Sequence, residues 1–179
     1  MTSKSNSFSF QQFEKETYTN LISKRDGETK LGERLASSYL NKEVKYVILG
    51  ISEDIGPQAN LGLNGSTKAF TSFLTRFLNC QSNRFLTGDN IFILGEIKSI
   101  IPFDSIENSR KQIEELDDFV ISILQPIIKE GKIPIVIGGG HNNAFPLIKV
   151  NYLHTYSVCN SRCIHDTQKK TVINKLIRF

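Results

Sequence analysis

Three apolar, β-branched runs mark the chain, at residues 45–51, 90–95 and 133–137. Each reads as a buried strand, because a strand covered on both faces need not alternate with polar residues. Each is followed by apolar positions at helical spacing. After the first run, Ala69, Phe70, Phe73, Leu74, Phe77 and Leu78 form one greasy helix face, with Ser66 or Thr67 as N-cap. After the second, Ile113, Leu116, Val120, Ile123, Leu124 and Ile127 predict a helix that begins near Ser105 or Ser109 and stops at Gly131. Pro126 predicts a kink or a restart there, since proline removes a helical hydrogen bond. Ala144, Leu147 and Ile148 open a third helix. Strand and helix alternating three times predict parallel βαβ units with right-handed crossovers, an α/β protein.

The flanks are less regular. Residues 1–7 are polar and read as frayed. Phe10, Phe13, Tyr18, Leu21 and Ile22 fit a helix within residues 8–22, and a polar connector with Gly27 and Gly32 follows. Residues 52–65, rich in Gly and punctuated by Pro57, read as a long loop. Beyond about Val150 no period survives. The chain thus divides into an N-terminal arm and helix (1–40), an α/β body (41–150) and an atypical tail (151–179).

Composition narrows the classes. At 179 residues, 39% hydrophobic and 22% charged, the chain fits one globular domain. It has no apolar run of membrane-spanning length, and its N-terminus lacks a signal-peptide core, so a cytoplasmic protein without a membrane partner is expected. Cys80, Cys159 and Cys163 are too few and too scattered for a disulfide framework. The net charge of +4 is local: residues 1–150 carry 17 Lys and Arg against 17 Asp and Glu. Residues 151–179 hold Arg162, Lys169, Lys170, Lys175 and Arg178 against Asp166 alone. A neutral body argues against a nucleic-acid partner.

The candidate chemistry lies where the third strand meets its helix, in Gly138-Gly139-Gly140-His141-Asn142-Asn143. The carboxyl ends of parallel strands are where open α/β sheets bind ligands. Three readings compete. Glycines before a helix expose backbone donors to a phosphate, yet neither G-x-G-x-x-G nor a lysine followed by Ser or Thr is present. A tight strand-to-helix turn with His141 as a capping or core residue needs no ligand at all. A neutral imidazole placed there also suits manganese or zinc, although one ligand does not make a site. In the tail, His154, Cys159, Cys163 and His165 offer a crowded set of zinc donors, against an incidental cluster.

Residues 133–141, Ile-Pro-Ile-Val-Ile-Gly-Gly-Gly-His, followed by Asn142-Asn143-Ala144-Phe145, resemble the first metal-binding motif of the ureohydrolases, the family of arginase, agmatinase and formimidoylglutamase. Residues 45–51 with Glu53-Asp54-Ile55-Gly56 resemble that family's first strand and loop. Asn60-Leu61-Gly62 and Asn64-Gly65-Ser66 resemble the loop's Asn-x-Gly and Gly-small pattern, and residues 27–33 resemble the arm of formimidoylglutamase-like members. The resemblance covers roughly residues 20–150. It implies a three-layer αβα sandwich with a mostly parallel sheet, here cut to about its first three βα units. It also implies hydrolysis of a guanidino or formimino carbon–nitrogen bond in a small amino-acid derivative. Two manganese ions sharing a bridging water would do this, with His141 as a ligand of one and Asn60, Gly62, Asn64 and Gly65 as substrate-loop positions.

The family's other ligands come from an Asp-x-His-x-Asp segment and a later Asp-x-Asp segment. The nearest approach is Cys163-Ile164-His165-Asp166-Thr167, and the second segment has no counterpart. The expectation is therefore a truncated or frameshifted family member without a complete binuclear site and without useful hydrolysis. Its third strand is expected to lack a neighbour on one side, which invites self-association through an open sheet edge. From another class, the alternative is a small α/β binding module that uses the glycine turn or that edge.

Overall fold

The computed structural model describes residues 2–152. Its strands are β1 (Thr2–Lys4), β2 (Phe8–Gln12), β3 (Tyr46–Ser52), β4 (Ile91–Ser99) and β5 (Ile133–Ile137). Its helices are α1 (Lys15–Thr19), α2 (Leu31–Arg34), α3 (Ile55–Ala59), α4 (Ala69–Leu78), α5 (Ile106–Lys129) and α6 (Ala144–Tyr152). The strands form one mixed sheet in the order β1-β2-β4-β3-β5. The three apolar runs of the sequence are β3, β4 and β5, with β3 in the middle and parallel to both neighbours.

Helices cover both faces, which gives the αβα layering. Leu116, Phe119, Val120, Leu124 and Ile127 of α5 and Val150 of α6 pack on Val47, Leu49, Ile51, Phe92 and Leu94. On the opposite face, Phe70, Leu74 and Leu78 of α4 join Phe13, Tyr18 and Leu35 over Ile48, Ile91 and Ile93. Alternate residues of β3 and β4 thus serve the two layers, as the period of a strand requires. None of the helices in the described residues is long and apolar enough to cross a membrane.

Several elements differ from the sequence expectation, each for a physical reason. Residues 1–7 include β1, and Phe8 begins a strand rather than a helix. Phe8 and Phe10 alternate into the α5 layer, and β2 lies antiparallel to β4. Burying each ring stabilises by roughly 2–3 kcal/mol, more than a short isolated helix gains. The Glu115 carboxylate of α5 pins the strand's start by accepting from the Ser7 amide at 2.9 Å and its hydroxyl at 2.5 Å. β4 runs on past Gly95 because the register with β3 shifts there, with Ile48 opposite Ile93 and Leu49 opposite Gly95. The shift returns Ile97 to the α5 layer. Ser105 caps α5 as expected, accepting the Asn108 amide at 3.2 Å. The helix does not restart at Pro126, which falls in its last turn. The expected loop at 52–65 contains α3.

β5 pairs with β3 on one side and with no other strand among the described residues. Ile133 donates its amide to Lys45 at 2.8 Å, so the alternate residues Pro134 and Val136 turn their backbone groups to the open edge. Proline is tolerated there because its missing donor breaks no ladder bond. Ile133 and Ile135, beside Tyr46 and Ile48 of β3 and so on the α4 face of the sheet, are still 45% and 38% exposed. The expected zinc donors of the tail lie outside the described residues.

Candidate functional site

The carboxyl ends of β3 and β5 lie side by side, Gly50 opposite Ile137. Each strand ends in a loop, and the side chain that joins the two loops is Glu53. Its residue is fully buried. Oε1 accepts the Gly140 amide at 2.7 Å and the Asn143 carboxamide Nδ2 at 3.0 Å. Oε2 accepts the Gly56 amide at 2.8 Å. Three donors satisfy a carboxylate that no cation pairs in these bonds, which removes most of the cost of burying it.

That carboxylate accounts for Gly139, and close packing of the two loops for its neighbours. Gly138 and Gly139 sit at φ of +97° and +69°, a left-handed turn that glycine adopts without strain. A Cβ on Gly139 would stand 2.3 Å from Asn143 Nδ2 and 2.8 Å from Glu53 Oε1. On Gly140 it would meet Asn142 Oδ1 at 2.3 Å and Pro57 Cδ at 2.7 Å. The Asn142 carboxamide fills the gap between the two loops, so closely that a Cβ on Gly56 would meet its Oδ1 at 1.8 Å. Asn142 and Asn143 are buried, and Asn142 Oδ1, Asn142 Nδ2 and Asn143 Oδ1 have no hydrogen-bond partner among the described residues. His141 heads the 3-10 turn that leads into α6 and is exposed.

Asp54 performs the same service for the next loop. Its Oδ1 accepts the amides of Gly65, Ser66 and Thr67 at 3.0, 2.7 and 3.3 Å, and the Ser66 hydroxyl at 2.5 Å. Neither Ser66 nor Thr67 caps α4, against the sequence expectation: the N-cap is Lys68, without a side-chain bond, because Ser66 and Thr67 lie in a preceding 3-10 turn whose free amides the Asp54 carboxylate accepts. Burial pushes the Asp54 carboxyl upward, but these hydrogen bonds outweigh it and hold the group below the usual carboxylate range. Of the candidate substrate-loop residues, Gly62 donates to the Pro57 carbonyl at 2.7 Å, and Asn64 Oδ1 accepts from Gln58 at 2.8 Å. Asn60 is exposed. Leu61 and Leu63 between them are 81% and 93% exposed, and Leu61 holds a φ of +58°. A second buried acid, Glu96, accepts from the Ser52 hydroxyl at 2.5 Å and pairs with Lys98 at 2.9 Å.

The sequence pattern singles out neither Glu53 nor Glu96. Their signal is a lone carboxylate at the end of an apolar strand, where burial demands partners. The phosphate reading of the glycine turn loses ground, because the Gly140 amide already binds an internal carboxylate. Nor do the described residues complete a manganese site. Among the described residues no group of three or more His, Cys, Asp or Glu side chains could hold a metal, and the oxygens of Glu53 are committed to the two loops. The structure brings the 138–143 turn and the base of the 55–65 loop together around Glu53-Asp54.

No protein-family model matches the chain, and no curated protein matches it. Among solved structures it is similar to a formiminoglutamase of Trypanosoma cruzi with Mn2+, at 26% identity and a TM-score of 0.44, over 69% of this chain and 39% of that one. An arginase superfamily protein from Trypanosoma cruzi gives the same values. A single-substitution variant of the formiminoglutamase gives 25% identity and a TM-score of 0.42, over 69% and 41%. The chain thus spans about two fifths of the length of the solved structures it matches.

Proposed function

We propose that this chain is the N-terminal part of a ureohydrolase-like fold, nearest to formimidoylglutamase, and that residues 2–152 present one metal donor, His141, without hydrolysing a substrate themselves. One observation supports the reading above the others: the glycine–histidine turn stands at the carboxyl end of a parallel strand, held beside the first strand's loop by Glu53. Small guanidino or formimino amino-acid derivatives are the substrate class, and Asn60, Gly62, Asn64 and Gly65 are the loop that would face them. Inactivity follows from the donor set, since activating water between two ions needs ligands that the described residues do not supply.

The test uses the full 179-residue protein. With Mn2+ present, formimidoylglutamate, arginine and agmatine are expected to give no metal-dependent product above background. Turnover that disappears in His141→Ala would overturn the inactivity. Weak Mn2+ binding, followed by electron paramagnetic resonance, is expected to be lost in His141→Ala. Binding unchanged by that substitution would favour the second reading, an interaction module working through β5, which the exposed Ile133 and Ile135 support.

A further inference from the structure

We propose that Glu53 is a positioning residue, and that its carboxylate fixes the place at which His141 stands. The inference rests on the proposed role of His141 for its use, but its geometry is independent of any metal. Glu53 grips the turn on both sides of His141, through the Gly140 amide at 2.7 Å and the Asn143 side chain at 3.0 Å. Its other oxygen holds the Gly56 amide at 2.8 Å, so the grip is referred to the loop after β3 and not to α6 alone. Asn143 Nδ2 also donates to the Gly140 carbonyl at 3.1 Å, which closes the turn on itself around the carboxylate. With Gly139 at a φ of +69° and no Cβ, the backbone lies close enough for these bonds to form. The histidine's neighbours are thus tied to a fully buried anchor, and the imidazole's position inherits that constraint.

The test reads the ring of His141 by nuclear magnetic resonance in the metal-free, full-length protein, its signals assigned by their absence in His141→Ala. In Glu53→Ala these signals are expected to shift and broaden. Sodium formate should restore them saturably by refilling the carboxylate's place, and sodium chloride at equal ionic strength should not. Signals unchanged in a folded Glu53→Ala protein, or indifferent to formate, would overturn the proposal. Should that variant not fold, Glu53→Gln keeps the shape with one acceptor oxygen. It is expected to shift the His141 ring and to speed hydrogen exchange by roughly tenfold or more at whichever of the Gly56 and Gly140 amides then faces the carboxamide nitrogen. Glutamine behaving as glutamate would equally overturn it. Failure of Mn2+ binding in the wild type is a separate result, since neither measurement contains a metal.

Discussion

Gly139→Ala offers a direct measure of how tightly the clamp is built, because the chain contains its own control. Gly139 and Gly27 both have left-handed backbones, at φ of +69° and +78°. A Cβ on Gly27 meets nothing within 4 Å, whereas on Gly139 it meets Asn143 Nδ2 at 2.3 Å and Glu53 Oε1 at 2.8 Å. The conformational penalty of placing alanine in this region is about 1–2 kcal/mol, partly offset by the reduced freedom of the unfolded chain, about 0.4–1 kcal/mol. Gly27→Ala should therefore destabilise by about 1 kcal/mol. Gly139→Ala adds the displacement of a hydrogen bond to a charged group, about 1.5–3 kcal/mol, for a total of about 3–4 kcal/mol.

At urea slopes of about 1–3 kcal/mol per molar, that total moves the midpoint down by roughly 1–4 M, against about 1 M or less for the control. Far-ultraviolet circular dichroism in urea gives both midpoints. The background Asn143→Ala sharpens the comparison, because it removes the nearest colliding atom, and there the added cost of Gly139→Ala should shrink. Equal midpoints for Gly27→Ala and Gly139→Ala would refute the idea that the glycine exists to admit the carboxylate.

Two further outcomes follow from the same geometry. Asp54 titrates below its ordinary range when folded, so its contribution to stability is present above the unfolded carboxyl value near about 3.9 and is lost as pH falls through the lower folded value. Urea midpoints should consequently drop more steeply below about pH 4 in the wild type than in Asp54→Asn; parallel curves would show that the loop's amides do not depend on that charge. At the open edge of β5, light scattering should report association that grows with concentration and weakens in Ile135→Lys, because a charge on an exposed apolar edge blocks strand addition. A wild type that stays monomeric over the whole concentration range would contradict this.

What could be read in advance was local. Residues 133–137 end in three glycines, and both the strand and the turn follow from residues within one short window. Helix α5 was legible for the same reason, with Ser105 as cap and Gly131 as stop. The N-terminal strand was not, because Phe8, Phe10 and Phe13 fit a loose helix as well as an alternating strand. What decides is β4, which lies more than eighty positions along the chain. Glu53 was hidden in the same way. Its donors Gly140 and Asn143 are 87 and 90 positions away, and nothing near residue 53 distinguishes a buried acid from a solvated one. The bulge at Gly95 needed β3 as a reference before its effect on Ile97 could be seen.

The three acids at the carboxyl ends of β3 and β4 also decide what this end of the sheet can do. Carboxylates there could in principle ligate a metal or serve as a base. Glu53 is spent on two loops, Asp54 on a third, and Glu96 on Ser52 and Lys98. Turning Glu53 or Asp54 toward a metal would leave two or more donors unsatisfied in a buried or half-buried place, at about 1–3 kcal/mol each, and turning Glu96 would leave the buried Ser52 hydroxyl. Metal ligation is therefore opposed by the same bonds that hold the glycine turn. His141 stands at the exposed head of that turn, with residues on either side of it, Gly140 and Asn143, held by the Glu53 carboxylate. The arrangement therefore ties the loops after β3 and the backbone around His141 to carboxylates that are already committed, which makes this end of the sheet a scaffold of internal bonds.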